Sequence, residues 1–162
     1  MIRTGNISDI DSILNVTKSC ALYMIDNEIY QWNETYPDRK SFLDDVKNKE
    51  LYVYCEKDKV IACISLCNKM DKVYEQVSWN TENKNNLYIH RLAVHPDFQK
   101  KGVGKSLMDY AEAFAKKHNY VSVRLDTFSQ NKRNLKFYES RDYNRLEEIY
   151  FPKQSEFPFY CY

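Results

Sequence analysis

Glycine is scarce in this chain, with three in 162 residues: Gly5, Gly102 and Gly104. No apolar run approaches the ~20 residues that a membrane-spanning helix needs, and the N-terminus lacks an apolar secretory segment. An excess of either charge is also missing. The formal net charge is +1, which implies no strong pull toward nucleic acid or an anionic membrane. Five cysteines, Cys20, Cys55, Cys63, Cys67 and Cys161, make an odd count without a Cys-x-x-Cys pair. Cys63 and Cys67 share a strand-like segment, where their spacing suits core packing better than a metal. Reduced thiols in a cytoplasmic protein are the expectation, with no metal. No linker, internal repeat or low-complexity segment interrupts the chain, so residues 1–162 read as a single domain.

What the chain does have is a dense stretch at its centre. Leu87 to Val94 has strand composition, and His95-Pro96-Asp97 stops it. Gln99-Lys100-Lys101-Gly102-Val103-Gly104-Lys105 follows as a turn and opens a helix. Leu107, Met108, Ala111, Phe114, Ala115 and His118 share one face of that helix. Gly102 and Gly104 let the backbone come close to a ligand, and the free amides of the first helical turn point at it. Lys100, Lys101 and Lys105 add positive charge, although solvated charge at a helix start is their plainer reading. The stretch therefore suits a phosphate-bearing cofactor.

A nucleotide-binding P-loop is the first candidate. Gly102-Val103-Gly104-Lys105-Ser106 looks like its tail, and Asn68-Lys69-Met70-Asp71 mimics a guanine-selecting motif. The P-loop pattern, however, needs a glycine where Gln99 stands. No glycine follows Gly104 to build a later Asp-x-x-Gly motif. That reading fails.

The remaining elements follow from periodicity and turn residues. Met1 to Arg3 reads as a short strand. Ser8-x-x-Asp11 resembles a capping box before a helix that carries Ile10, Ile13, Leu14, Thr17 and Ala21 inward. A second helix is expected from Asp38 to Lys49. Leu51–Glu56 and Val60–Cys67 read as a hairpin across Lys57-Asp58-Lys59. Asn80 to Asn86 has the composition of a mobile loop tip. Val121–Asp126 reads as a strand, Asn131–Ser140 as a helix, and Tyr143–Phe151 and Phe157–Tyr162 as closing strands.

Gln99-x-x-Gly102-x-Gly104 after Leu92-Ala93-Val94-His95-Pro96 resembles the acetyl-CoA motif of the GNAT superfamily of N-acetyltransferases, Gln/Arg-x-x-Gly-x-Gly/Ala. The order of elements resembles that family over nearly the whole chain. The resemblance implies an α/β fold with a central mixed, mostly antiparallel sheet, splayed at its central strands and flanked by about four helices. It implies acetyl-CoA as cofactor, held by Gln99, Lys100, Lys101, Gly102, Val103, Gly104 and Lys105. The exposed backbone of Leu92, Ala93 and Val94 would pair with the pantetheine arm and polarise the thioester carbonyl.

A second motif, Asn131-Lys132-Arg133-Asn134-Leu135-Lys136-Phe137-Tyr138-Glu139-Ser140-Arg141-Asp142-Tyr143, resembles the family's Asn-x-x-Ala-x-x-x-Tyr-Glu-x-x-Gly-Phe. By that match Asn131 bonds pantetheine and Tyr138 protonates the departing thiolate, as a nearby phenol can. Leu135 and Tyr138 are also spaced as one buried helical face, which is the structural alternative. Asn134 and Asp142 depart from the family's alanine and glycine. Asp126 stands where the ribosomal-protein alanine acetyltransferases of this superfamily carry a base glutamate. The attacking ammonium, of pKa ~10, must lose a proton, and His90, His95, Glu75 and Glu34 are the other base candidates. The family's acceptor region supplies Tyr30, Trp32, Tyr36, Glu75 and Trp79 here, a wall suited to a small cationic amine through cation–π contact.

These readings together predict acetyl transfer from acetyl-CoA to a primary amine of a small molecule, by direct attack in a ternary complex. Acetylation of a protein or peptide N-terminus is one alternative, and a non-catalytic acyl-CoA sensor is another. A homodimer is left open.

Overall fold

The computed structural model describes residues Met1–Tyr162. Its middle is a five-stranded sheet in the order β1 (Ile2–Thr4), β2 (Leu51–Glu56), β3 (Lys59–Cys67), β4 (Leu87–Val94), β5 (Val123–Arg124). The pairs are antiparallel except β4 with β5, which is parallel. The middle strands are apolar at nearly every position because both faces are covered. On one face Val53, Cys63 and Ala93 pack on α1 (Ile10–Asp26) and on Phe42 of α2 (Arg39–Lys47). On the other face Tyr52, Ile64 and Leu66 meet α3 (Val103–Lys117) and α4 (Lys132–Glu139). No helix is long and apolar enough to cross a membrane.

Side-chain chemistry at the turns explains several boundaries. Lys57 and Asp58 both take positive φ, 47° and 64°, so the β2–β3 hairpin turns on two residues without a glycine. The capping box falls two residues earlier than the sequence pattern suggests. Asn6 accepts from the Ser8 amide, and Asp9 accepts from the Asn6 amide at 2.9 Å. Arg3 grips the Asp9 carboxylate with two 2.8 Å bonds, which makes Asp9 the anchored acid in place of Asp11.

The strand expected at Val121–Asp126 breaks at Leu125. β5 pairs with Leu87 and Tyr88 of β4 and then departs. The chain continues as β6 (Asp126–Phe128) in a second sheet of order β6-β8-β7, with β7 (Glu148–Ile149) and β8 (Phe159–Cys161). Leu125 exchanges both backbone hydrogen bonds with Tyr162 at this corner. The two closing strands are shorter than expected, in a segment where Pro152 and Pro158 have no amide to donate. The outcome is the anticipated splay: beyond Tyr88 that edge of β4 has no strand partner.

β4 also carries a bulge. Ser65 faces His90 and Cys63 faces Ala93, so two steps along β3 match three along β4. The extra residue lies beside Arg91, whose φ of 50° is left-handed. The Asn80–Asn86 segment is not a loose tip. Buried Arg124 holds it through Asn83 Oδ1 at 2.7 Å, Thr81 O at 2.8 Å and Glu82 O at 3.0 Å.

Candidate active site

The splay opens two adjoining cavities, of about 360 and 480 Å³. They share Gln31, Trp32, Leu92, Asn134 and Tyr138. One lies against the glycine turn and the other against β6.

The first cavity is lined by Leu92, Ala93, Val94, Gln99, Lys100, Gly104 and Asn131, all expected at a cofactor site. Gly102 caps α3 with φ 82°, a conformation that other residues rarely adopt. Helix geometry leaves the amides of Val103, Gly104 and Lys105 without acceptors inside α3. The Val103 side chain is buried in the core, so only its backbone is available. At Gly104 a Cβ would meet nothing closer than Val94 Cγ2 at 3.8 Å, so the glycine keeps that wall open. Unpaired amides, an open strand edge and nearby cations suit a ligand with phosphates and an amide-bearing arm.

The three lysines do not act as one cluster. Lys100 lines the cavity, whereas Lys101 sits over the Phe98 ring at 5.0 Å and Lys105 pairs with Asp109 at 2.8 Å. Neither of the latter two lines either cavity. The second cation there is Arg133, which donates to Gln99 Oε1 at 2.6 Å while Gln99 Nε2 donates to Val94 O at 3.0 Å. Sequence reading passed over Arg133 as a variable position inside the second motif. Asn131 caps α4, accepting from the Asn134 amide at 3.2 Å, and donates to Gln31 Oε1 at 3.2 Å. All five thiols are free. Cys20, in the same cavity, donates to the Val94 carbonyl at 3.1 Å.

The second cavity holds Asp126, His90, Arg91, Asp71 and Tyr36. Burial pushes the Asp126 carboxyl up to about 6, against the opposing bond it accepts from the Tyr74 hydroxyl. A carboxyl poised there ionises near neutral pH, which suits a general base. Burial, aided by the Arg91 charge, pushes His90 down to about 4, so its imidazole is neutral at pH 7. Arg91 forks onto Asp45 and donates to Tyr36 Oη at 3.3 Å. The bulge is why His90 and its neighbour Arg91 face the same cavity in place of alternating.

Tyr138 stands in the wall between the cavities, 5% exposed. Burial drives its phenol well above the ordinary tyrosine value, so it is protonated throughout the neutral range. Asp142 accepts the left-handed turn after α4, with φ 65°, in place of a glycine. Asn134 bonds Thr127 Oγ1 at 3.3 Å from the shared wall.

Of the expected acceptor wall, Trp32 lines both cavities and Tyr36 the second. Tyr30 is 52% exposed, and neither it nor Glu75 lines either cavity. Glu75 points to solvent because the short helical turn at Lys72–Gln76 buries its neighbour Tyr74 instead. Trp79 covers the Arg124 guanidinium at 4.4 Å. Glu34 and His95 also lie outside both cavities. No group of His, Cys, Asp and Glu is placed to hold a metal ion.

The family model of the acetyltransferase (GNAT) family matches residues 16–143. Among curated proteins nothing matches. Among solved structures, a Staphylococcus aureus Mu50 protein described as an acetyltransferase is 25% identical, with a TM-score of 0.74 over 100% of this chain and 97% of its own. A GNAT-family acetyltransferase of Streptococcus agalactiae is 18% identical, with a TM-score of 0.82 over 100% and 92%. PaiA N-acetyltransferase of Thermoplasma acidophilum, solved in complex with coenzyme A, is 17% identical, with a TM-score of 0.69 over 99% and 96%. The chain belongs to the GNAT family of acetyltransferases, enzymes that use acetyl-CoA.

Proposed function

We propose that this acetyltransferase acts on a primary amine of a small molecule, which attacks directly while both reactants are bound. The observation that carries the reading is Tyr138 in the wall shared by the two cavities, with Asp126 in the second. Acetyl-CoA supplies the acyl thioester. The first-turn amides of α3, with Lys100 and Arg133, hold its phosphates. The open edge of β4 at Leu92–Val94 pairs with the pantetheine arm and polarises the thioester carbonyl. Asp126 takes the proton of the incoming ammonium, and the Tyr138 hydroxyl gives its proton to the departing sulfur. The second cavity, walled by Trp32 and Tyr36, is of a size for a small amine and offers cation–π contact. The free thiols favour a reducing compartment, the cytoplasm.

The test is a panel of small amines and peptides with acetyl-CoA, read by release of free thiol. Turnover with small amines is the expected result. Turnover confined to peptides with a free N-terminus would replace this reading with protein N-terminal acetylation.

A further inference from the structure

Tyr74 belongs to none of the motifs above, yet it is fully buried and its hydroxyl donates to Asp126 Oδ2. It comes from the short helical turn at Lys72–Gln76, in a polar stretch without periodicity. Three rings fix its position: Trp79 at 5.3 Å, Tyr88 at 5.8 Å, and His90 stacked at 6.3 Å with planes 25° apart. A tyrosine needed only for packing would be served by phenylalanine. Here the hydroxyl goes to one oxygen of the carboxylate, leaving the other for the acceptor cavity that Asp126 lines.

We propose that Tyr74 is the positioning residue of the catalytic base, aiming the Asp126 carboxylate and stabilising its ionised form. The proposal rests on the assignment of Asp126 as base made above. In the step it serves, an N–H bond of the ammonium breaks, and its proton goes to Asp126 Oδ1. The nitrogen keeps the electron pair, and Tyr74 retains its own proton throughout. Around Asp126 the other titratable groups are Asp71 beside the Tyr74 turn, His90 of β4, Tyr138 of α4 and Cys161 of β8. Glu50, Lys69 and Arg91 also line the cavity, Arg91 already paired with Asp45. Tyr74 is the one side chain that gives Asp126 a hydrogen bond, and that bond opposes the upward push of burial and of Asp71.

The experiment is the pH profile of kcat/KM for Tyr74→Phe. Activity rises as Asp126 loses its proton. Loss of the donor should move that rising limb to higher pH by about one to two units, the worth of a hydrogen bond to a charged group. Activity should fall about tenfold or more below the wild-type midpoint and recover in large part at high pH. A uniform loss at every pH, with a limb that does not move, would overturn the proposal and leave Tyr74 a packing residue. Where Tyr74→Phe lowers stability, its rates are referred to the folded fraction measured by coenzyme A binding, and a double-mutant cycle with Asp126→Asn supplies a second arm. Adding Tyr74→Phe to Asp126→Asn should change turnover little, because the hydroxyl then has no carboxylate to act through. Additive losses would overturn the proposal. Asp126→Asn alone separates the two assignments: an unaltered limb in that variant removes the base itself, whereas a lost limb beside an unmoved one in Tyr74→Phe removes only Tyr74.

Discussion

Arg91 grips Asp45 with two hydrogen bonds, Nε to Oδ2 at 2.8 Å and Nη2 to Oδ1 at 2.5 Å. Their side chains are 15% and 5% exposed, and Ser65 donates to the same carboxylate. The pair ties α2 to the bulge of β4, where Arg91 takes its left-handed conformation. Asp45→Ala strands a buried guanidinium and removes the group that holds the bulge. Such a truncation costs about 3–5 kcal/mol. Urea denaturation should show that loss, with poorer activity in whatever remains folded.

Cofactor affinity should depend on Gly104 more cleanly than on Gly102. A side chain at Gly102 is strained by its positive φ whatever the ligand does. Gly104→Leu adds bulk to the cavity wall without that strain and improves local helix propensity. Calorimetry should find coenzyme A binding weakened, with the melting temperature held. Lys100→Ala should weaken binding more than Lys105→Ala, since Lys105 is already occupied by Asp109.

Tyr138→Phe keeps the ring and its packing and deletes the proton donor. Turnover should fall by about 10²–10⁴-fold, the usual contribution of a general acid. Coenzyme A affinity and melting temperature should change little, because one hydroxyl bond is worth about 0.5–1.5 kcal/mol. A lower melting temperature with near-normal turnover would make this tyrosine a core residue only.

Asp126 should cost the fold stability as it ionises. Its folded-state pKa is raised to about 6 from the ordinary 3.8, so between those values the native state binds the proton that the unfolded chain releases. Stability conferred by the protonated acid is present at low pH and declines as pH rises toward 6. Asp126→Asn should remove that decline. Denaturation curves of both proteins from pH 4 to pH 7 check the sign, and a wild type that gains stability relative to the variant over this range would contradict it.

Where side-chain pattern alone decides structure, the sequence was sufficient. The glycine turn, the amphipathic α3 and the doubly buried strands follow from spacing, because each is a local or two-face requirement. Asp126 and Tyr138 line the same cavity. What stayed hidden depends on partners distant in sequence. Nothing near Tyr74 points to an acid 52 residues away, whereas the pairing of Lys105 with Asp109 was legible as an i,i+4 spacing on α3. Tyr30 and Glu75 illustrate the opposite error. Their residue types suited a pocket, but an irregular segment carries no periodicity to say which way a side chain turns. The bulge was equally illegible, since one extra residue in a strand leaves its composition unchanged.

The anchor on Arg124 reaches further than the loop it holds. Arg124 ends β5, two residues before Asp126 on the same backbone, and five of its hydrogen bonds go to residues 81–88. A polar surface stretch of this kind ordinarily accepts insertions and yields to proteases. Here lengthening it would pull on the root of the strand that carries Asp126. Residues 80–86 are thus a poor place for an insertion or a circular permutation, and a site from which changes at the surface can be felt in the chemistry.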